Sequence, residues 1–127
     1  MTGSLRFPRS ARLLAKADFD AAFAHGKRIG GAFLRAHVHL TPGMPARLGC
    51  ALAKRSIPLA SDRNRVRRQI REQFRLRRAQ LDGRSIVFAA RNEARNAPLP
   101  ALRSDIARLL ERAAALNPTH PSGTMPG

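Results

Sequence analysis

The chain contains no tryptophan, no tyrosine, a single cysteine and only eight acidic residues among 127. Each shortage removes a class of chemistry. Cys50 alone can form neither an internal disulfide nor a cysteine-based zinc site. A metal-dependent nuclease needs clustered carboxylates that hold its ions about 4 Å apart. Here Asp18 and Asp20 stand two apart on a predicted helix and diverge, while Glu72, Asp82, Glu93, Asp105 and Glu111 fall in separate segments. No run approaches the roughly 18 apolar residues of a membrane-spanning helix. Residues 1–10 lack the apolar centre of a secretory signal. The expectation is a cytoplasmic protein with no membrane partner and no metal held by the protein alone.

Positive charge is what the chain has in excess. Twenty-four Lys plus Arg face eight Asp plus Glu, for a formal charge of +16, and all but three of the cations are arginine. Such a charge repels itself in a compact fold and is tolerated where a polyanion neutralises it. The length suits one domain with a modest core.

The arginines concentrate between Asp62 and Phe74, a predicted helix. Val66, Ile70 and Phe74 recur every four residues and give it one face to bury. At about 100° per residue, Asn64, Arg67, Arg68, Arg71, Arg75 and Arg78 form a band roughly 100° wide beside that stripe. A solvated face would mix signs, and only Asp62 and Glu72 interrupt this one. Guanidinium forks grip phosphate oxygens in pairs and stack on bases, so the helix reads as a nucleic-acid ridge.

Around it, the pattern predicts a helix from Lys16 to His25 closed by Gly26 in the left-handed C′ position. Phe33 to Leu40 alternates, with Leu34, Ala36, Val38 and Leu40 on one side and Phe33, Arg35, His37 and His39 on the other. After a turn at Thr41–Pro45, Arg47 to Ala53 reads as a second strand able to pair antiparallel with the first. Ser61 or Asp62 is the expected cap of the arginine helix, which should run to about Gln80. Ser85 to Ala90 is a buried strand, Ala101 to Leu116 a last helix, and residues 117–127 a disordered tail; residues 1–12 form an extended basic lead-in. With room for one more short strand, this order favours an α+β sandwich, a sheet on one side and helices on the other.

Two surfaces emerge. The arginine helix suits the backbone of folded RNA. Phe19, Phe23, Phe33, Arg35, His37 and His39 interleave rings with cations, which suits a single strand whose bases stack while arginine follows the phosphates. For Phe19 and Phe23 the competing expectation is plain core packing. His37 and His39 are the one candidate acid–base pair for a metal-free nuclease, and polar residues on an RNA-facing sheet explain them better. His25, at a helix end, is expected to cap carbonyls. A ribosomal or assembly protein clamping folded RNA is the rival reading. A DNA regulator lacks its helix-turn-helix pair, and a self-sufficient nuclease lacks a credible site.

Arg63-Asn64-Arg65-Val66-Arg67-Arg68, followed by Ile70-Arg71-Glu72 and Phe74-Arg75, resembles the signature of the bacterial ribonuclease P protein subunit. Flanks agree in order: Phe7-Pro8-Arg9-Ser10, Asp18-Phe19, Phe23-Ala24-His25-Gly26, Arg47-Leu48-Gly49, Lys54-Arg55 and Ala89-Ala90-Arg91. The family often has lysine where Arg67 and Arg55 stand, Ala-Val where Ala60-Ser61 stands, and tyrosine on the sheet, which this chain lacks. The resemblance implies a two-layer α/β sandwich with a mixed, mainly antiparallel four-stranded sheet, three helices and a left-handed βαβ crossover, as in the second domain of ribosomal protein S5. It also implies a non-catalytic subunit of the ribonucleoprotein that removes the 5′ leader from precursor transfer RNA. The RNA hydrolyses, magnesium is held mainly by RNA, and one protein monomer joins one RNA and broadens substrate specificity. Arg63, Asn64, Arg65, Arg67, Arg68, Arg71, Arg75, Lys54 and Arg55 would bind the catalytic RNA. Phe19, Phe23, Phe33, Arg35, His37 and His39 would receive the leader.

Overall fold

The computed structural model describes residues 16–116, so the predicted lead-in and tail lie outside the described residues. Helix α1 (Lys16–His25) is followed by strands β1 (Lys27–Gly30), β2 (Leu34–Leu40) and β3 (Arg47–Ala51). Helix α2 (Ala60–Leu76) and a 3₁₀ turn (Arg78–Leu81) lead into β4 (Arg84–Ala90), and a second 3₁₀ turn (Asn92–Asn96) precedes α3 (Leu99–Ala115). The short β1 occupies the place left open for one further strand.

The sheet order is β1-β2-β4-β3. β2 pairs antiparallel with β1 and β4, and β3 pairs parallel with β4. This corrects the expectation that β3 would pair with β2. Every residue of β4 is buried, and a strand so apolar belongs in the middle of a sheet. The chain after β2 therefore crosses the entrance of β4. Thr41 N donates to Gly83 O, Gly83 N to Met44 O and Ala46 N to Asp82 Oδ1, at 2.7, 2.8 and 3.1 Å. That crossing sets β3 beyond β4, and a parallel pair then needs a crossover, which α2 supplies.

Leu34, Ala36 and Val38 of β2, Ile86, Phe88 and Ala90 of β4 and Leu48 of β3 line one face. They form one core with Val66, Ile70 and Phe74 of α2 and Leu102, Ile106, Leu109, Leu110 and Ala113 of α3. Helix α1 does not join that layer. Its Phe23 ring meets His37, and Asp18 pairs with Arg47 at 3.3 Å, both on the opposite face of the sheet. Ala22 and Val87 are fully buried yet stand apart from the main core, which marks this second, smaller contact. The predicted arrangement with all helices on one side is thus corrected for α1.

Two local expectations change as well. Gly26 is not left-handed; among the described residues only Gly43 and Gly83 are, each at φ 84°. A Cβ at Gly26 would stand 2.4 Å from the Ala22 carbonyl oxygen and 3.2 Å from that of Val38, so the tight exit from the last turn of α1, with β2 close by, demands the glycine. Leu59, rather than Ser61 or Asp62, takes the cap position of α2, with no side-chain cap bond. Asp62 remains in the first turn, where its charge suits the helix dipole.

Candidate nucleic-acid interface

Helix α2 presents its arginines in two states. Some are held within the fold. Arg63 Nη1 donates to the carbonyls of Ile57 and Pro58 at 2.8 and 2.9 Å, and Arg65 Nη2 to Ala97 O at 3.2 Å. These two fasten the helix to the loops at its flanks. Arg75 pairs loosely with Glu72, at 3.6 Å. Arg68 and Arg71 are exposed and make no hydrogen bond or ion pair with any described residue. Asn64 Oδ1 accepts from Arg67 Nη1 at 2.8 Å, so the asparagine of the signature orients its neighbour on the ridge. Arg67 and Arg71 run beside Cys50 of β3 and draw its thiol down, but burial dominates and pushes that thiol up to about 11.

Lys54 and Arg55 lie in the loop between β3 and α2 and are exposed. Arg95 braces this loop from the far side, donating to the carbonyls of Ser56 and Arg55 at 3.2 and 3.0 Å. The Arg55 side chain helps line a concave site of about 440 Å³ shared with Arg35, Arg91, Asn92 and Glu93. The sequence reading placed Arg55 with the helix and Arg35 with the strand; the fold puts both in one basin. Arg91 and Asn92 were missed, because only the end of β4 brings them there.

The open sheet face carries Arg35, His37 and His39 of β2, as the alternation implied. Phe23 is 45% exposed, and its ring sits edge-on to His37 with centroids 4.6 Å apart. Phe19 is partly buried on the same helix. His25, expected to cap carbonyls, has its ring 6.3 Å from that of His39, between α1 and β2. His37 is buried, and desolvation, then the charges of Arg35 and Arg28, lower its pKa from the usual histidine value. A neutral imidazole there offers one donor and one acceptor rather than charge. Phe33 departs from the predicted set. It precedes β2, packs partly buried against the main core, and its N–H donates to Asp105 Oδ2 at 3.0 Å.

The acids offer no catalytic centre among the described residues. Asp105 is buried and accepts from the N–H groups of Ala32, Phe33 and Leu34 at 2.8–3.1 Å, which fixes the β1–β2 turn. Asp18, Asp20, Glu72, Glu93 and Glu111 each pair with a separate cation. Among the described residues no three His, Cys, Asp or Glu converge as metal ligands, and no helix is long and apolar enough to cross a membrane.

This arrangement has known counterparts. The Ribonuclease P family model matches residues 7–114. The ribonuclease P protein component of Xanthomonas oryzae is 37% identical over 95% of this chain and 83% of its own length. That of Xylella fastidiosa is 34% identical over 91% of this chain and 85% of its own. Among solved structures, the Staphylococcus aureus RNase P protein superposes with a TM-score of 0.74 at 22% identity, covering 84% of this chain and 97% of that one. The Thermotoga maritima protein gives 0.69 at 24%, covering 80% and 96%. With its arginine signature on one helix, its mixed sheet and a family match spanning nearly the whole chain, this protein belongs to the ribonuclease P protein family.

Proposed function

We propose that the two basic surfaces divide the labour of the ribonucleoprotein, α2 holding the catalytic RNA and the open sheet face receiving the 5′ leader of precursor transfer RNA. As a family member the chain is a subunit of ribonuclease P, the endonuclease that matures the 5′ end of transfer RNA, and its partner is the ribonuclease P RNA. A ribosomal clamp is not favoured, since the family match runs over residues 7–114 rather than over the arginine helix alone.

One observation carries the division. Arg68 and Arg71 project from α2 without a partner among the described residues, while Phe23, His37 and Arg35 line the other side of the sheet. A ridge of free guanidinium groups follows a folded backbone, and rings with cations accept unstacked bases of any sequence. Asn64, Arg67, Arg68 and Arg71, with Arg75, Lys54 and Arg55, form the surface for the catalytic RNA; Arg63 and Arg65 position the helix as well. Phe19, Phe23, Arg35, His37 and His39 form the leader groove, and Phe33 supports it from the core side. Hydrolysis belongs to the RNA. In this reading magnesium is held mainly by RNA phosphates, since hard cations keep several waters in such sites. A monomer in a one-to-one cytoplasmic complex completes the reading.

Reconstitution tests it. The chain, a bacterial ribonuclease P RNA and a precursor are combined at low magnesium. Correct 5′ ends should appear only when protein and RNA are both present. Phe23→Ala should weaken precursor binding about fivefold to a hundredfold, the worth of one stacked base, and spare mature transfer RNA. Equal losses for both would remove the leader groove from the account.

A further inference from the structure

Nearly every acid of the chain is engaged, Asp62 being the exception without a partner among the described residues. Arginines that remain unmatched therefore mark places where an outside anion fits. On the open face there is such a pair, and only one of its members was legible in the sequence.

Arg28 of β1 stands directly across from His37 of β2, and Arg35 lies two residues before His37 on the same strand. Cross-strand partners and residues two apart share a sheet face, so Arg28, His37 and Arg35 emerge on one side. The charges of both arginines act on His37, in keeping with the register that sets them on its face. Neither guanidinium makes a hydrogen bond or ion pair with any described residue. Like charges on one sheet face repel in the free protein, and a phosphate bound beside them would relieve that repulsion.

The surroundings give the pair a direction. Over β2, α1 covers the His37–His39 end with Phe23 and His25. β1 is an edge strand of four residues whose Lys27, Arg28 and Gly30 are exposed. A strand of RNA seated beside Phe23 has open, cationic backbone to follow across β1.

We propose that Arg28 is a second phosphate ligand of the groove, which with Arg35 clamps the leader as it passes over β1 and leaves the sheet. The proposal rests on the leader-groove reading and extends it by naming the exit path and the residue that reads it. The clamp binds phosphate, so it is indifferent to leader sequence but sensitive to leader length. A charged residue on an edge strand can also serve merely to discourage pairing with another chain. That role predicts an effect on self-association and none on leader length.

The test measures affinity of the reconstituted holoenzyme for precursors whose leaders range from two nucleotides to about ten, with mature transfer RNA as reference. Arg28→Ala should weaken binding of long-leader precursors by about threefold to tenfold, one charge-assisted contact, and lower their salt slope by about one. The deficit should vanish with the two-nucleotide leader, and Arg28→Lys should restore most of the loss. Phe23→Ala is run beside it. If Phe23→Ala is selective for precursor while Arg28→Ala is silent at every length, the clamp is wrong and the groove stands. A deficit for Arg28→Ala that is equal on mature transfer RNA overturns the clamp too. If Phe23→Ala shows no selectivity either, the groove itself fails and the clamp falls with it.

Discussion

Helices α2 and α3 are each 17 residues long, pack on the same face of the sheet and carry several arginines, yet they differ in how many of those arginines the fold engages. On α3 each arginine is exposed yet has a partner within the protein. Arg103 donates to Gln69 at 3.1 Å, Arg112 to Gly30 O at 3.5 Å, Glu111 pairs with Arg77 at 3.6 Å, and Asp105 is buried under three backbone N–H groups. On α2, Arg68 and Arg71 have no partner among the described residues. Charge density alone does not identify a binding surface. Charge left without a partner is what separates α2 from α3.

The sharpest contrast lies at the carboxyl end of α3. Arg84 is 7% exposed, and its guanidinium donates to Ala113 O and Ala114 O at 2.8 and 2.9 Å, to Leu116 O, and to Asp82 O at 2.8 Å. Its burial without a counter-ion lowers its pKa, and carbonyls at a helix end are the partners that satisfy it. It ties α3 to the entrance of β4. Arg84 holds the fold, as Arg63 and Arg65 of α2 do, whereas Arg68 and Arg71 have no partner among the described residues.

Three changes would break or sharpen that comparison. Arg84→Ala should cost about 3 kcal/mol in urea unfolding, because it strips several buried carbonyls of their donor at once. A loss below about 1 kcal/mol would mean water replaces the guanidinium freely. In the folded fraction of that variant, the salt slope of RNA binding should be that of the wild type.

Replacing Arg68 and Arg71 together with alanine should do the reverse. Affinity for the catalytic RNA should fall about tenfold to hundredfold and the salt slope by about two, with unfolding free energy changed by less than about 0.5 kcal/mol. The paired control is Arg103→Ala with Arg112→Ala on α3. If that pair lowers RNA affinity as much as the α2 pair does, the distinction between used and unused charge collapses.

The smallest effect concerns His37. Its folded pKa lies below the unfolded value, so between the two the unfolded chain binds more protons and stability rises with pH. The wild type should be at full stability above the ordinary histidine range and lose a little as pH falls through it. His37→Gln should flatten that part of the profile in thermal melts from pH 8 to pH 5. A wild-type profile with the opposite slope would show that protonation is favoured on the sheet face.

Much of this was legible before the fold. The alternation of Leu34, Ala36 and Val38 against Arg35, His37 and His39 separated the two faces of β2, because side-chain direction in a strand is a local property. The four-residue recurrence of Val66, Ile70 and Phe74 marked the buried stripe of α2 for the same reason. The partner of β3 was misread. Two strands joined by a short turn suggest a hairpin, and the insertion of β4 between them depends on residues more than thirty positions away. Phe33 was assigned by strand parity although it stands one residue outside the strand, where Asp105 of α3 governs the backbone. Gly26 is expected at a left-handed C′ position, whereas its close approach to the carbonyl of Ala22, one turn back in α1, is what requires it.

The amino-acid order by itself determined that this molecule is a basic, single-core α+β protein with an arginine helix and no clustered acids, since charge, period and composition need no knowledge of distant contacts. Only the tertiary structure decided which arginines are engaged by carbonyls and which have no partner among the described residues. It also put Arg28 beside His37 and sent α1 to the face away from the other helices. Those outcomes depend on which groups meet across long stretches of chain, and a guanidinium has no function until its neighbours are known.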